Sequence, residues 1–275
     1  MTSPALVVLT DFFADEHALV YAAGLAGHLR ARLVLLHVRQ DALLLPDEYP
    51  NRRSRRTERH TRAALQQLAQ AQLVPTEVAI AEEWLPEALA AAALQHDPLL
   101  LVLGRPEAVP IEIVTSAALD LLRYVFCPVL VVPAGGAVTI APCSMALAVD
   151  GDGFALANPR RLAELLDRLQ AGITLLHVTH RKDPGAAAGH RVLYAVQHSG
   201  LPAQPEGRWP HVVRHPDTAA GILRGAAETK ADVLGVVARR HSLLASLFHR
   251  SVTAQLVALS PLPLLLLPAS AGQPG

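Results

Sequence analysis

The sequence lacks the features that mark membrane-spanning, disulfide-stabilised and strongly charged proteins. Its apolar runs, such as Pro98–Leu103 and Leu262–Leu267, are far shorter than the roughly 20 residues that a membrane-spanning helix needs. Cys127 and Cys143 are its only cysteines, too few for a disulfide framework. Because 24 basic residues balance 24 acidic ones, no overall charge attracts nucleic acid or anionic lipid. We therefore expect a cytoplasmic protein that contacts no membrane.

The sequence does contain an internal repeat. Three pairs of similar segments are separated by 135 to 140 residues: Leu35–Val38 and Leu175–Val178, the apolar runs that end at Asp11 and Asp150, and Cys127–Pro133 and Leu262–Pro268. Insertions and deletions in surface loops account for the small drift in spacing. We therefore predict two copies of one domain, over residues 1–137 and 142–270, joined near Ala134–Pro142.

Within each copy, short apolar runs alternate with longer segments of helical period. This alternation is typical of parallel strands that are buried on both faces and linked by crossover helices. The predicted strands are Leu6–Thr10, Leu33–Val38, Thr76–Ile80, Leu99–Leu103 and Val129–Val132 in the first copy, and Ala146–Val149, Ile173–Val178, Val212–Arg214, Val233–Val237 and Leu264–Leu267 in the second. The predicted helices are Asp15–Leu29, Asn51–Leu68, Leu85–Leu94, Ser116–Tyr124, Pro159–Leu169, Gly189–His198, Asp217–Thr229 and Val252–Leu259. Asn158 before Pro159 predicts a helix N-cap.

The motifs at the strand ends resemble those of the universal stress protein domain. In both copies the first strand ends in an acid and the second in His-Val, while in the first copy the fourth strand ends at Gly104 and a short helix opening with Ser116 precedes Cys127–Pro133. The match covers both halves, as in tandem universal stress proteins. The resemblance implies an α/β fold of two doubly wound five-stranded parallel sheets with strand order 3-2-1-4-5, helices on both faces, and packing as an internal pseudo-dimer. Pro128 and Pro263, at the starts of the fifth strands, leave open whether those strands pair with another sheet edge.

A strand order of 3-2-1-4-5 places a binding crevice at the carboxyl ends of strands 1 and 4. Asp11 would then lie opposite Gly104, and Asp150 opposite Val237–Arg239. The resemblance implies that, in nucleotide-binding relatives, the acid lies near the base or ribose. A Gly-x-x-Gly stretch followed by Gly-Ser or Gly-Thr cradles the phosphates, because glycine lets backbone N–H groups approach closely.

Both copies depart from this glycine pattern. The first copy keeps Gly104 but has Pro106 and Glu107 where the pattern continues, and Thr115-Ser116 as its closing pair. Proline removes a donor N–H, and a carboxylate repels phosphate. The second copy has no glycine over residues 237–241, and its closing pair is Arg250-Ser251. We therefore expect that ATP binding in the manner of the family is lost.

Other residues leave two interpretations open. Arg105 in the first copy, and Arg239, Arg240, His241 and Arg250 in the second, could hold an anion through their side chains. The interpretation we favour is a solvated basic loop or a contact between the domains. For Ser116 and Ser251 we favour a helix N-cap over a phosphate contact. The candidate nucleotide-site residues are Asp11, Gly104, Arg105, Thr115, Ser116, Asp150, Arg239, Arg250 and Ser251.

Three further patterns have simpler explanations than a second site. An arginine stripe on one predicted helix is more typical of a solvated or partner-docking face than of an RNA-binding surface: Arg52, Arg55, Arg56, Arg59 and Arg62. His37 and His177 fit core histidines better than metal ligands, since no recognised metal-binding spacing is present. Buried Cys127 fits a small hydrophobic residue with a raised thiol pKa. No catalytic motif is visible.

We therefore predict a non-catalytic regulatory or interaction module of the stress response, with degraded nucleotide motifs in both domains and a protein partner or a second copy of the chain as its ligand. The alternative is an ATP- or AMP-binding stress protein, with the nucleotide between Asp11 and Gly104. We expect no metal, and no nucleic acid as a partner.

Overall fold

The structure is a computed structural model, and it describes residues 3–10, 16–38, 52–83, 85–107, 110–135, 140–180, 185–201, 209–239 and 251–271. The first half contains β1 (Ala5–Leu9), α1 (Glu16–Leu29), β2 (Arg32–Val38), α2 (Arg52–Gln70), β3 (Thr76–Ala81), α3 (Leu85–His96), β4 (Pro98–Arg105), α4 (Ile111–Tyr124) and β5 (Val129–Pro133). The second half contains β6 (Ser144–Ala148), β7 (Phe154–Leu156), α5 (Pro159–Leu169), β8 (Gly172–Thr179), α6 (Gly185–Gln197), β9 (His211–Arg214), α7 (Thr218–Glu228), β10 (Val233–Arg239), α8 (Val252–Leu259) and β11 (Leu264–Ala271).

The predicted strands and helices are all present, although some of their bounds differ: the helix predicted over Gly189–His198, for example, is α6, Gly185–Gln197. Helix α4 begins at Ile111 rather than Ser116, with Pro110 at its N-cap position. Strand β7 was not predicted, because three residues are too few to show an alternating pattern. It pairs antiparallel with an extension of β11, Ala269–Ala271, that lies beyond the predicted apolar run. The predicted N-cap is confirmed: the Arg161 N–H donates to Asn158 Oδ1 (3.2 Å).

Each half has the predicted strand order. The sheet runs β3-β2-β1-β4-β5-β11-β10-β6-β8-β9, so the first half and the second half both show the order 3-2-1-4-5 with parallel neighbours. The two five-stranded sheets meet where β5 pairs antiparallel with β11, through Val129–Val131 and Leu264–Leu266. The sheet is therefore continuous across the two halves. Pro128 and Pro263 lie just outside the paired residues, where their missing N–H removes no bond between β5 and β11.

Helices cover both faces of the sheet. Side chains of α3, α4, α7 and α8 pack in one apolar core, and those of α1, α5 and α6 pack in the core on the opposite face. Across the junction α4 contacts α8, and α1 contacts α5. No helix among the described residues is both long and apolar enough to cross a bilayer.

Two hydrogen bonds at the junction are related by the repeat. His28 Nε2 bonds to the Leu169 carbonyl oxygen (3.2 Å), and Arg168 Nη1 donates to the Leu29 carbonyl oxygen (3.0 Å). His28 and Arg168 are 140 residues apart, as are Leu29 and Leu169, so each pair occupies equivalent positions. Each side chain thus satisfies the last carbonyl of the opposite helix, α5 or α1, which has no partner within its own helix. The halves pack as a pseudo-dimer.

Candidate functional site

The carboxyl ends of β6 and β10 border a cavity in the second half. Its volume is about 270 Å³, and most of its lining is apolar, with Leu176, Val178, Ile222 and Val236 among the side chains. It lies between strands 1 and 4 of this half, where the order of the sheet reverses. This is the place where an open α/β sheet binds its ligand.

An ion pair joins the two strand ends at this cavity. Arg239, at the end of β10, donates from Nη2 to Asp150 Oδ1 (2.7 Å) and to the Asp152 carbonyl oxygen (2.8 Å). Its Nη1 also lies 3.6 Å from Asp152 Oδ2. The Arg239 side chain is only 18% exposed, whereas that of Asp150 is 58% exposed. We call this arrangement of Arg239, Asp150 and Asp152 the arginine latch.

The loop after β6 is shaped to hold the latch. Gly151 has a φ of +90°, which an L side chain rarely adopts, and the Asp152 N–H donates back to Asp150 Oδ1 (3.0 Å). Phe154, two residues after Asp152, is buried. Asp152 and Phe154 were absent from the predicted site. The Gly151-x-Gly153 turn could have indicated a tight loop there, but it could not show that Arg239 closes onto it.

The helices that begin beside the cavity are capped by their own side chains. The Ala220 N–H, in α7, donates to Asp217 Oδ1 (2.7 Å), and the Ala254 N–H, in α8, donates to Ser251 Oγ (3.1 Å). The N-cap interpretation of Ser251 is therefore confirmed. Because the cap side chains already accept from these N–H groups, part of each helix N-terminus is unavailable to an anion.

Arg105 lies in a contact between the two halves. Its Nη1 donates to the Val257 carbonyl oxygen, in α8 (2.8 Å). The residue four positions after Val257 is Pro261, which has no N–H to donate, so the guanidinium takes the place of that missing donor. Burial lowers the pKa of Arg105. Arg105 was interpreted either as an anion-binding side chain or as part of a solvated loop or a contact between the domains. In the structure it makes a contact between the domains.

Arg105 and Arg239 are not at equivalent positions in the two halves. β1 pairs Val8 with Val102, and β6 pairs the equivalent Leu147 with Gly235. Counting forward along β4 and β10 makes Gly104 equivalent to Val237, Arg105 to Ala238, and Pro106 to Arg239. Adjacent positions on a strand face opposite sides of the sheet. Arg105 therefore reaches α8 on one face, whereas Arg239 reaches the loop after β6.

Thr115 and Ser116 lie in the second turn of α4 rather than at its start. The Ser116 hydroxyl is exposed and donates to Asp120 Oδ2 (3.5 Å). The N-cap interpretation of Ser116 is therefore wrong, because the helix already begins at Ile111, five residues earlier, after Pro110, whose φ is −52°. Gly104 is buried at the end of β4, where it pairs with Val132.

Several predicted residues lie outside the described part of the chain. Asp11, Arg240, His241 and Arg250 are among them. Helix α2 carries the predicted arginine stripe, but of its arginine side chains only those of Arg59 and Arg62 are described, and both residues are exposed.

The interpretations of the buried histidine and cysteine are confirmed. His177 is 8% exposed, and its Nδ1 bonds to the Val149 carbonyl oxygen (2.9 Å). Burial raises the pKa of the Cys127 thiol to about 12, and its Sγ donates to the Pro98 carbonyl oxygen (3.3 Å). Among the described residues, no group of three or more His, Cys, Asp or Glu side chains is placed to hold a metal ion.

Comparison with solved structures shows the same fold at low sequence identity. A universal stress protein from Archaeoglobus fulgidus DSM 4304 matches with a TM-score of 0.64 and 16% identity, covering 97% of this chain and 98% of that one. A putative universal stress protein from Pseudomonas aeruginosa UCBPP-PA14 matches with a TM-score of 0.56 and 16% identity, covering 98% and 94%. The cytoplasmic domain of a prokaryotic cation chloride cotransporter matches with a TM-score of 0.53 and 12% identity, covering 98% and 96%.

No curated protein sequence matches the chain. The family model of the Universal stress protein family, in contrast, matches twice, over residues 1–133 and 144–268. The two matches together cover nearly the whole chain and coincide with its two halves. The chain therefore belongs to the Universal stress protein family, with two copies of the family domain in tandem.

Proposed function

We propose that this protein is a non-catalytic regulatory or interaction module of the stress response, and that neither crevice holds a nucleoside triphosphate through a backbone cradle. The arginine latch is the observation that carries this proposal. It lies at the end of β10, within the stretch equivalent to the Gly-x-x-Gly of the nucleotide-binding pattern, and it neutralises Arg239 with Asp150 and Asp152. An incoming phosphate would have to displace a carboxylate that is already bonded and would meet a second one beside it.

The first half supports the same conclusion through different residues. Arg105 is engaged by the Val257 carbonyl oxygen, and Ser116 lies in the second turn of α4. Exposed Glu107 adds negative charge beyond the end of β4, and Pro106 has no N–H to offer. Domain limits of 1–137 and 142–270 fit this division, because β5 ends at Pro133 and β6 begins at Ser144.

The alternative is a nucleotide in the first crevice, and Gly104 is the observation that favours it. Gly104 leaves the end of β4 without a side chain, at the position where the second half has Val237. ATP or AMP would then lie between Asp11 and Gly104.

A thermal-shift titration with millimolar ATP, ADP or AMP and Mg²⁺ distinguishes the two functions. A ligand present at about 100 times its Kd adds about 2.7 kcal/mol to the free energy of unfolding, which raises the midpoint by several degrees. We expect an unchanged midpoint. A rise that disappears in Gly104→Val would establish the alternative, because that variant gives the first half the residue of the second. Gly153→Val, in the second half, is the matched control.

A further inference from the structure

The cavity of the second half has the size of a small-molecule site. Its volume is about 270 Å³, whereas a cavity of about 150 Å³ lined by apolar side chains is enough to bind benzene. A fused two-ring molecule fits this space. The cavity walls near the strand ends are formed by Leu176, Val178, Ile222 and Val236, so the ligand would lie mostly against hydrocarbon.

The charged residues of the cavity lining compensate each other. Among the described residues that line it, Asp150 and Arg239 are the charged ones, and they are bonded to each other at 2.7 Å. Asp152 lies beside them, 3.6 Å from Arg239 Nη1. A ligand carboxylate or phosphate would have to break this pair, and so would a ligand cation. An uncharged ligand leaves the arginine latch intact.

One polar group of the lining is available to a ligand. Thr253, in the first turn of α8, is 6% exposed and lines the cavity. Within the described part of the chain its hydroxyl has no hydrogen-bond partner. The other threonine of the lining, Thr218, already has a hydrogen-bond partner, because its Oγ1 lies 3.4 Å from His180 Nε2. A hydroxyl or amine on the ligand would satisfy Thr253 and fix the orientation of the ring.

The space in the second half is linked to one difference between the halves. β1 pairs Leu9 with Leu36, and β6 pairs Ala148 with the equivalent Leu176. Ala148 therefore occupies the position of Leu9, and it lines the cavity. The shorter side chain leaves room at the strand end that an isobutyl group fills in the first half.

We propose that the second half binds an uncharged two-ring aromatic molecule bearing one hydrogen-bonding group, in the cavity between Ala148, Val236 and Thr253. The inference rests on the proposed function only in treating the second crevice as unsuited to phosphate. Binding of such a ligand would reach the junction between the domains through α8, since α8 both borders the cavity and contacts α4.

The test compares two probes with the same rings and different charge. We expect 1-naphthol, neutral at pH 7, to bind the full chain saturably with one site, as measured by calorimetry and by methyl NMR shifts at Ile222 and Val236. We expect 1-naphthoate, which is an anion, to bind at least about tenfold more weakly. Absence of saturable 1-naphthol binding, or equal binding of 1-naphthoate, would overturn the inference.

Two variants locate the site. Ala148→Leu, which introduces the residue of the first half, should weaken 1-naphthol binding at least about tenfold by filling the space. Exposed Ala91→Leu, on α3, is the matched control and should leave binding unchanged. Thr253→Val keeps the shape of the side chain, and should weaken 1-naphthol binding about three- to tenfold while leaving naphthalene binding unchanged.

Each result of these variants decides the inference. If Ala148→Leu does not fold, the Thr253→Val comparison tests the same cavity independently. Unchanged 1-naphthol binding in a folded Ala148→Leu, or in Thr253→Val, would contradict the proposed site. The ATP titration is independent of these tests. If the parent protein binds neither 1-naphthol nor ATP, this inference alone is refuted, whereas an ATP-induced rise of the midpoint refutes the proposed function.

Discussion

The two halves of the chain share their backbone plan and differ at the ends of their strands. Among the described residues, the four non-glycine residues with positive φ form two equivalent pairs: Arg30 and Gln170, which follow α1 and α5, and Asp97 and Lys230, which precede β4 and β10. The halves diverge at the end of the fourth strand, where the first half has Gly104-Arg105-Pro106 and the second has Val237-Ala238-Arg239. The same backbone fold therefore places a contact between the domains at this strand end in the first half, and a cavity bordered by the arginine latch in the second.

Loss of Arg105 should have the largest effect on stability. Arg105→Met removes the charged donor to the Val257 carbonyl oxygen and leaves that oxygen without its partner. We expect the free energy of unfolding, measured by urea denaturation, to fall by about 1.5–3 kcal/mol. Arg191→Met, at an exposed position on α6, is the control and should change it little. An effect no larger than that of the control would show that Arg105 does not stabilise the junction.

A methyl group at Gly225 should have the next largest effect. Ala92 and Gly225 are equivalent, since each lies five residues before a positive-φ residue, Asp97 or Lys230. A Cβ at Gly225 would lie 2.3 Å from Leu176 Cδ1 and 2.9 Å from Val213 Cγ2. Gly225→Ala should therefore lower the free energy of unfolding by about 1–2 kcal/mol, because overpacking outweighs the better helix propensity of alanine.

Gly27→Ala is the matched control for this substitution. The new Cβ would lie 3.6 Å from Val74 Cγ1, an ordinary van der Waals contact. We expect a gain of about 0.5–1 kcal/mol from helix propensity. If Gly225→Ala stabilised the protein to the same degree, the close packing of α7 on the sheet would not limit side-chain size.

The smallest expected effect is a pH dependence of stability that originates at His96, in the first half. The His96 side chain is 6% exposed, and burial, followed by the charge of Arg32, lowers the pKa of His96 from the usual 6.5. As the pH falls, His96 therefore takes up its proton in the unfolded chain before it does so in the folded one. Its contribution to the free energy of unfolding is complete above about pH 6.5 and is lost as the pH falls below that value. His96→Thr introduces the residue of the second half, Thr229, which follows α7 at the equivalent position.

Urea denaturation at about pH 7.5 and about pH 5.5 measures this dependence. The loss of stability on acidification should be smaller in His96→Thr than in the parent protein. Exposed His17→Thr, on α1, should leave the loss unchanged. Equal losses in the parent protein and in His96→Thr would mean that buried His96 does not contribute to acid sensitivity.

Most of the fold could be predicted from the sequence, because parallel strands buried on both faces are continuous apolar runs. The bounds of α5 and α8 were predicted to the residue, in each case from a capping residue, Asn158 or Ser251. The start of α4 was wrong because Ser116 matched an N-cap pattern while Pro110 began the helix. Pairing of β5 with β11 depends on which edges meet in space, which local sequence does not specify.

The candidate site was less predictable than the fold. The loss of glycine at Glu107 and the absence of glycine over residues 237–241 are visible in the sequence, but the partners of the arginines are not. Arg105 contacts a residue 152 positions away, and Arg239 contacts one 89 positions away. Such contacts depend on how whole strands and helices are placed in the fold. A sequence pattern can therefore indicate which side chain is important without indicating its partner.

The contact between Arg105 and Val257 shows what covalent linkage of two domains permits. In a symmetric pair of identical chains, every substitution at the shared surface occurs twice, so each contact must suit both copies. Here a guanidinium is present in one copy, and the other has Ala238 at that position. Linkage also keeps the partner at a high effective concentration regardless of how dilute the protein is. One copy can thus evolve as a binding unit while the other specialises as its permanent support.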